Sequence, residues 1–160
     1  MKYLKTYNES LRDKMKPKSD EEILRELDDL SPEELLFISI ENNYIKGVEK
    51  VLKLGADINY KYKYGWTPLL FATMKGHKDI VEFLIENGAD INVKYGADGN
   101  TPLLFATRCE YKDIVEILLK NGADTNIKDD RGYTALMYAS EYFYKDKEII
   151  KLLKKYGATE

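Results

Sequence analysis

The chain has 160 residues, of which 44% are apolar and 33% charged, and this composition is typical of a folded domain rather than of a disordered chain. Its formal net charge of −3 argues against a free-standing nucleic-acid binder, which usually carries a basic excess. A single histidine and a single cysteine exclude a histidine-rich metal site and an internal disulfide, and they predict a reducing, cytoplasmic environment.

The first 33 residues differ from the rest of the chain in the arrangement of their charges. Residues 1–18 carry six Lys or Arg against two acids, and residues 19–34 carry eight acids against one Arg. Apolar residues follow helical spacing in both parts, and Ser19 with Glu22 forms a capping-box pattern at the start of the second. We expect capping helices that cover an open apolar end of the following domain, with a separate partner-binding arm as the alternative.

The remainder of the chain repeats itself with a nearly constant period. Gly-Ala-Asp begins at Gly55, Gly88 and Gly122, and a related Gly-Ala-Thr begins at Gly157, so the steps are 33, 34 and 35 residues. The run Thr-Pro-Leu-Leu-Phe-Ala-Thr begins at residue 67 and returns at residue 101, and a third copy begins at residue 134. Such a period predicts a repeat architecture in which neighbouring units share one core.

Each repeat contains the signals for two short helices and a loop. Thr67 can cap a first helix that begins at Pro68, and Gly76 can end this helix in a left-handed turn. Lys78 opens a second, amphipathic helix, which Gly88 is placed to end. A turn-rich segment then leads to the next Thr-Pro, so we predict a helix, a turn, a second helix and a long hairpin-like loop.

These motifs resemble those of the ankyrin-repeat family over about residues 34–160. The shared residues are Thr-Pro-Leu at 67–69, Gly-His at 76–77 and Gly-Ala-Asp at 88–90, and most of the pattern recurs in the next repeat. The resemblance implies an all-α solenoid of antiparallel helix pairs with projecting β-hairpin loops. We place four repeats at about 34–65, 66–99, 100–132 and 133–160, after an N-terminal helical extension or cap at 1–33.

Two repeats depart from the pattern at the turn between their helices. Asn43 in the first repeat and Glu110 in the third stand where Gly76 ends the first helix of the second repeat. Asparagine tolerates a left-handed backbone, whereas a left-handed glutamate would cost about 1–2 kcal/mol. Strain is therefore expected at Glu110 if its backbone is left-handed like that of Gly76.

No residue pattern in the chain points to catalysis. His77 matches a position that the resembled family uses structurally, so a general base is the weaker interpretation. Cys109 falls at the end of a first helix with no partner at a recognised spacing, so a reactive thiol is also the weaker interpretation. Asp57, Asp90 and Asp124 recur once per repeat and are interpreted as groups that cap loop backbone. We predict that the protein is not an enzyme and has no catalytic residues, no metal and no cofactor.

The resemblance implies that partners contact the hairpin tips and the concave ends of the first helices. In the first hairpin, Tyr62 and Tyr64 replace aspartates that typical ankyrin repeats carry. Because Trp and Tyr dominate binding hot spots, Tyr62, Tyr64 and Trp66 are the expected anchors and should add little to the core. The alternative is that Trp66 packs between adjacent hairpins as structure. The candidate partner-binding residues are Tyr60, Lys61, Tyr62, Lys63, Tyr64, Trp66, Met74, Lys75, Asn100, Arg108, Cys109, Arg131, Tyr133, Glu141 and Tyr142.

The predicted function is the binding of another protein through the hairpin tips and the concave helix face, by a chain that is a monomer on its own. One alternative is an effector, inhibitor or immunity-type protein that blocks the active site of its target, and such an effector could be delivered into a host. Binding of single-stranded nucleic acid is a weaker alternative, because residues 35–160 carry 18 Lys or Arg and 18 acids. Residues 1–15 lack the apolar run of a signal peptide, and no apolar run is long enough for a membrane span, so no membrane partner is expected.

Overall fold

The computed structural model describes residues 30–62, 65–96, 98–140 and 146–159. The predicted cap at 1–33 lies almost wholly outside the described residues and stays a prediction. Within the described ranges eight helices form four pairs, which confirms the predicted all-α architecture. The pairs are α1 Pro32–Glu41 with α2 Ile45–Lys53, α3 Pro68–Lys75 with α4 Lys78–Glu86, α5 Pro102–Arg108 with α6 Lys112–Lys120, and α7 Ala135–Ser140 with α8 Lys147–Lys155.

Each first helix begins where the sequence places its capping residue. Ser31 accepts a hydrogen bond from the Glu34 N–H, and the Glu34 carboxylate accepts one from the Ser31 N–H, so this capping box is complete. The threonine hydroxyls at 67, 101 and 134 each accept a bond at 3.3 Å from the N–H three residues further on. Helix α1 therefore begins at Pro32, directly after its capping residue Ser31.

Left-handed residues close the turns within the first three helix pairs. Gly76 ends α3 with a φ of 71°, and the equivalent residues Asn43 and Glu110 have φ angles of 52° and 57°. Glu110 thus has the left-handed conformation on which the expected strain depends. It costs about 1–2 kcal/mol there, because the glutamate Cβ crowds the following carbonyl.

The four pairs stack in chain order, with first helices against first helices and second helices against second helices. One apolar cluster runs through all the pairs. Its members include Leu36, Leu69, Leu103 and Leu136 on the first helices and Val48, Val81, Val115 and Ile149 on the second helices. Because helices of this length are marginal alone in water, the shared core stabilises the solenoid.

The loops that follow the second helices are joined by a repeated asparagine. Within three of these loops an aspartate side chain accepts the N–H two residues on, at 2.8–3.0 Å, which confirms the role predicted for Asp57, Asp90 and Asp124. The side chain of the asparagine two residues after each aspartate then accepts a hydrogen bond from a backbone N–H of the next loop. These bonds run to Asn59 from Asp90 at 2.8 Å, to Asn92 from Asp124 at 2.9 Å and to Asn126 from Thr159 at 3.1 Å.

Three hairpins connect the pairs. The first is closed by an antiparallel bridge between Tyr62 and Trp66, and the second by a bridge between Tyr95 and Asn100. In the third hairpin the Asp129 N–H donates to the Tyr133 carbonyl at 2.9 Å. The predicted β-hairpins are thus closed by isolated contacts rather than by extended strands. Among the described residues, no helix has both the length and the apolar character required to cross a membrane.

Candidate functional site

The predicted partner-binding residues that the structure describes lie on the first helices or on the hairpins beside them, along the surface formed by α1, α3, α5 and α7. We name this surface the first-helix face. Two clusters on this surface contain most of its described candidates. The aromatic cluster includes Tyr62 and Trp66. The arginine cluster consists of Asn100, Arg108, Arg131 and Tyr133 with Asp129 and Tyr138. Cys109 is exposed next to the second cluster, at the end of α5. The candidates outside the described residues are Lys63, Tyr64, Glu141 and Tyr142.

The aromatic cluster consists of Phe37, Tyr62, Trp66, Phe71 and Tyr95. Between ring centroids, Phe37 lies 5.4 Å from Tyr62 and 5.3 Å from Phe71. Trp66 lies 6.2 Å from Phe71, edge to face, and 3.8 Å from Tyr95 of the next hairpin. The expected anchors Tyr62 and Trp66 therefore join hairpins to first helices.

This packing changes the role expected of Tyr62 and Trp66. Both are partly buried against the core, so the expectation that they add little to it does not hold. The contact of Trp66 with Tyr95 is the one expected if Trp66 packs between adjacent hairpins. The exposed residues of this hairpin include Lys61 and Tyr60, which is 38% exposed.

Met74 and Lys75 lie beside the aromatic cluster at the end of α3. The Lys75 ammonium pairs with the Glu41 carboxylate of α1 at 2.6 Å and lies 5.3 Å from the centre of the Phe71 ring. Met74 is partly buried against the core. The charge of Lys75 is therefore largely neutralised within the protein and offers little to a partner.

The arginine cluster is built around Asp129, whose side chain is fully shielded from solvent. Its carboxylate accepts hydrogen bonds from the Arg131 N–H at 3.0 Å, from the Tyr133 N–H at 2.8 Å and from the Tyr138 hydroxyl. Burial opposes ionisation of this carboxyl group, but the hydrogen bonds outweigh burial and hold the pKa of Asp129 below its ordinary value. The aspartate thus joins the third hairpin to α7.

Two of the predicted arginines approach the ring of Tyr138. The guanidinium carbon of Arg108 lies 5.4 Å from the ring centre, and that of Arg131 lies 5.8 Å from it. Arg108 donates to the side-chain oxygen of Asn100 at 3.2 Å, and Arg131 donates to the Tyr138 hydroxyl. The ring of Tyr133 stacks on Tyr138 at 5.2 Å. The structure therefore brings together four predicted residues from two repeats.

Sequence reasoning missed the residues that organise both clusters. Phe71 and Tyr138 hold the same place in their first helices, and Phe37 lies one position earlier in α1. Asp129 holds the place in the third hairpin that Tyr62 holds in the first. A signal was present, because an aromatic residue recurs at 71, 105 and 138. That recurrence places one ring on the same part of the first helix in the second, third and fourth repeats.

His77 and Cys109 have surroundings that fit structural roles. Burial is the main cause that lowers the pKa of His77, so its ring is neutral at pH 7. Desolvation by neighbouring atoms raises the pKa of the Cys109 thiol, which disfavours the reactive thiolate. Within the described ranges, no group of three or more His, Cys, Asp or Glu side chains is arranged to hold a metal ion.

A family model described as ankyrin repeats (3 copies) matches residues 18–95, 35–129 and 94–159 of the chain. A protein of Borreliella burgdorferi described as an ankyrin repeat protein is 36% identical over 74 residues, which are 46% of this chain and 32% of that protein. Protein phosphatase 1 regulatory subunit 27 of Mus musculus is 38% identical over 66 residues, 40% of this chain and 43% of that protein. The 2-5A-dependent ribonuclease of Homo sapiens is 39% identical over 57 residues, 35% of this chain and 8% of that protein. The chain therefore spans less than half the length of these curated relatives.

Proposed function

The chain belongs to the ankyrin-repeat family, and on that premise we propose that it binds another protein through the first-helix face. Ankyrin repeats are a general protein-interaction module, so the proposed role is binding without catalysis by this chain. The finer part of the proposal is the surface. It comprises the hairpins and the ends of the first helices, with the arginine cluster at its centre.

The observation that carries the proposal is the exposed part of the arginine cluster. Arg108 and Arg131 are exposed, and Tyr133 beside them is 37% exposed. Arginine and tyrosine are enriched at protein interfaces, where a few such residues supply most of the binding energy. Because Asp129 already orders the hairpin, less conformational freedom is lost when a partner binds.

The second helices carry a surface of different character. Several of their exposed lysines pair with acids on the same or the next second helix, as in Lys78 with Asp113 at 3.4 Å and Lys120 with Glu116 at 2.8 Å. Exposed pairs of this kind are typical of a solvated surface and add little to stability. This contrast favours the first-helix face as the binding surface.

The relatives support a protein as the partner. One of them is by its name a regulatory subunit of protein phosphatase 1. The similarity to 2-5A-dependent ribonuclease covers 8% of that protein and lends no support to catalysis by this chain. No contact among the described residues favours the blocking of a target's active site or the binding of single-stranded nucleic acid. We also propose that the chain is a monomer and that it lies in the cytoplasm. The single cysteine can form no internal disulfide, which supports the second of these points.

A site-specific crosslinker tests the proposed surface. We would replace Tyr133 with the photocrosslinking residue p-benzoylphenylalanine and, as a matched control, place the same residue at Glu82 on the exposed side of α4. Irradiation in extract of the source cells should join a protein to the chain through position 133 and not through position 82. Equal yields at the two positions, or crosslinks at position 82 alone, would contradict the proposal.

A further inference from the structure

The two guanidinium groups of the arginine cluster differ in their partners. Arg131 lies beside Asp129, with 3.4 Å between its Nε and a carboxylate oxygen. Arg108 has no carboxylate partner in the described part of the chain, where its contacts are the Asn100 side chain and the Tyr138 ring. The cluster therefore places two positive charges against a single buried negative charge.

The buried carboxylate is not free to serve both arginines. Asp129 accepts two backbone N–H groups and the Tyr138 hydroxyl in addition to its ion pair with Arg131. Arg108 is exposed, and its one hydrogen bond to the described chain leaves most of its five N–H donors unused. A negatively charged group of a ligand would therefore balance the positive charge of Arg108.

From this geometry we propose that Arg108 and Arg131 bind a carboxylate side chain of the partner protein. The inference rests on the proposed function and deepens it by naming the chemistry of the partner. A guanidinium group binds a carboxylate through two parallel N–H···O bonds. This paired geometry makes arginine selective for carboxylates in addition to attracting their charge. Tyr133 offers an aromatic surface to the residue that follows or precedes that carboxylate.

Two acids limit how acidic the partner segment can be. Asp98 and Asp130 are exposed at the tips of the second and third hairpins, where the Asp130 N–H donates to the Asp98 carbonyl at 3.0 Å. Their charges would repel a segment that is acidic along its whole length. The preferred ligand is therefore one or two carboxylates set among apolar residues, and a polyanion such as a nucleic acid is disfavoured.

Selection from a phage-displayed library of random twelve-residue peptides tests this inference. The target is the full chain, with Arg108→Gln/Arg131→Gln as the test variant. Lys46→Gln/Lys50→Gln is the matched control, which removes two exposed charges from α2. The wild type and the control should enrich peptides with Asp or Glu beside an aromatic or aliphatic residue. A synthetic peptide chosen from them should bind the test variant at least tenfold more weakly than it binds the wild type. Replacing its acid, Asp→Asn or Glu→Gln, should weaken its binding to the wild type by at least the same factor.

Two further measurements separate the possible failures. Arg108→Lys/Arg131→Lys keeps both charges but not the planar fork, so it should keep the melting temperature and still lose most of the affinity. A bulky maleimide on Cys109, beside Arg108, should block peptide binding by covering the first-helix face. If the maleimide blocks peptide binding but the arginine substitutions leave the affinity unchanged, the carboxylate inference alone is overturned. Peptides insensitive to the maleimide would overturn the proposed surface as well.

Three outcomes of the selection count directly against the inference. They are enriched peptides without an acidic bias, equal affinity for the wild type and the arginine variant, and the absence of any enriched peptide. A titration with a twelve-residue oligothymidylate provides the comparison with a polyanion. Tighter binding of the oligonucleotide than of the selected peptide would overturn the choice of a protein carboxylate.

Discussion

The first and third hairpins share one backbone arrangement but are stabilised by different chemistry. In the first, the Tyr62 N–H donates to the Trp66 carbonyl at 2.8 Å, and in the third the Asp129 N–H donates to the Tyr133 carbonyl at 2.9 Å. The side chains at these equivalent places then diverge. Tyr62 packs its ring on Phe37, whereas Asp129 accepts three hydrogen bonds.

The two hairpins also differ in the exposure of the described residues at these closing positions. In the first hairpin, Trp66 and Tyr62 are partly buried against the core. In the third, polar contacts hold the loop while Arg131 and Tyr133 stay at the surface. With an aspartate at this place, Arg131 and Tyr133 stay exposed, whereas a tyrosine at this place packs its ring against the core.

The largest expected effect comes from removing the buried carboxylate. Asp129→Ala leaves buried donors without an acceptor and should lower the free energy of unfolding by roughly 3 kcal/mol, since each such donor costs about 1–3 kcal/mol. Urea denaturation measures the loss. Asp130→Ala is the control, because its exposed side chain should contribute within about 0.5 kcal/mol. Equal losses in the two variants would show that the third hairpin does not depend on this network.

Removal of the indole from the first hairpin should have the next largest effect. Trp66→Ala should cost roughly 2 kcal/mol, less than the 3–5 kcal/mol of a fully buried aromatic, because Trp66 is only partly buried. The melting temperature should fall while affinity for the partner changes little. Tyr60→Ala, in the exposed part of the hairpin, should leave the melting temperature unchanged. A Trp66→Ala variant with normal stability and weak binding would restore Trp66 as an anchor and end the contrast between the hairpins.

The sequence predicted the fold well because the relevant rules are local. Ser31 and the three threonines cap the first helices within three residues, and Gly76 closes its turn through its own backbone freedom. The fixed period then places like residues at like positions, so the stack follows from the pattern. Nothing at long range had to be known for these steps.

The site was predicted in part, because exposure depends on residues far away in the sequence. The ring of Tyr62 packs on Phe37 of α1, 25 residues earlier, and the charge of Lys75 is paired with Glu41 of α1. An aromatic residue in a hairpin fits a hot spot and a core equally well, so composition alone did not separate the two. The register placed Arg108 at the end of a first helix and Arg131 in the hairpin of the same repeat, but it did not indicate that both approach Tyr138 of the next repeat.

A single hydroxyl tests the hydrogen bonds of the third hairpin while leaving its rings in place. Tyr138→Phe removes one of the three bonds to Asp129 and the bond from Arg131, and should cost about 1 kcal/mol. Tyr133→Phe is the matched control, because it removes a hydroxyl from the ring stacked on Tyr138. Urea denaturation of both variants should show a loss for Tyr138→Phe alone. Similar values for the two would mean that stacking rather than hydrogen bonding holds this pair.

The smallest expected effect is in the response to acid, because the contribution of the third hairpin to stability should depend on pH and that of the first hairpin should not. The pKa of Asp129 in the folded chain lies below its ordinary value of 3.8, because the hydrogen bonds outweigh the opposing effect of burial. The folded state thus favours the ionised form, and the stability that this group contributes is present in full above about pH 4. It is lost as the pH falls from the ordinary pKa through the lowered one, since the unfolded chain then binds the proton more readily.

Asp129→Asn cannot titrate, so the gap in unfolding free energy between it and the wild type should narrow from pH 5 to pH 2.5. Trp66→Ala removes no titrating group, and its gap from the wild type should stay constant over the same range. Parallel curves for Asp129→Asn and the wild type would mean that Asp129 is no more acidic in the folded chain than in the unfolded one, and the hydrogen bonds to its carboxylate would then not distinguish the third hairpin from the first.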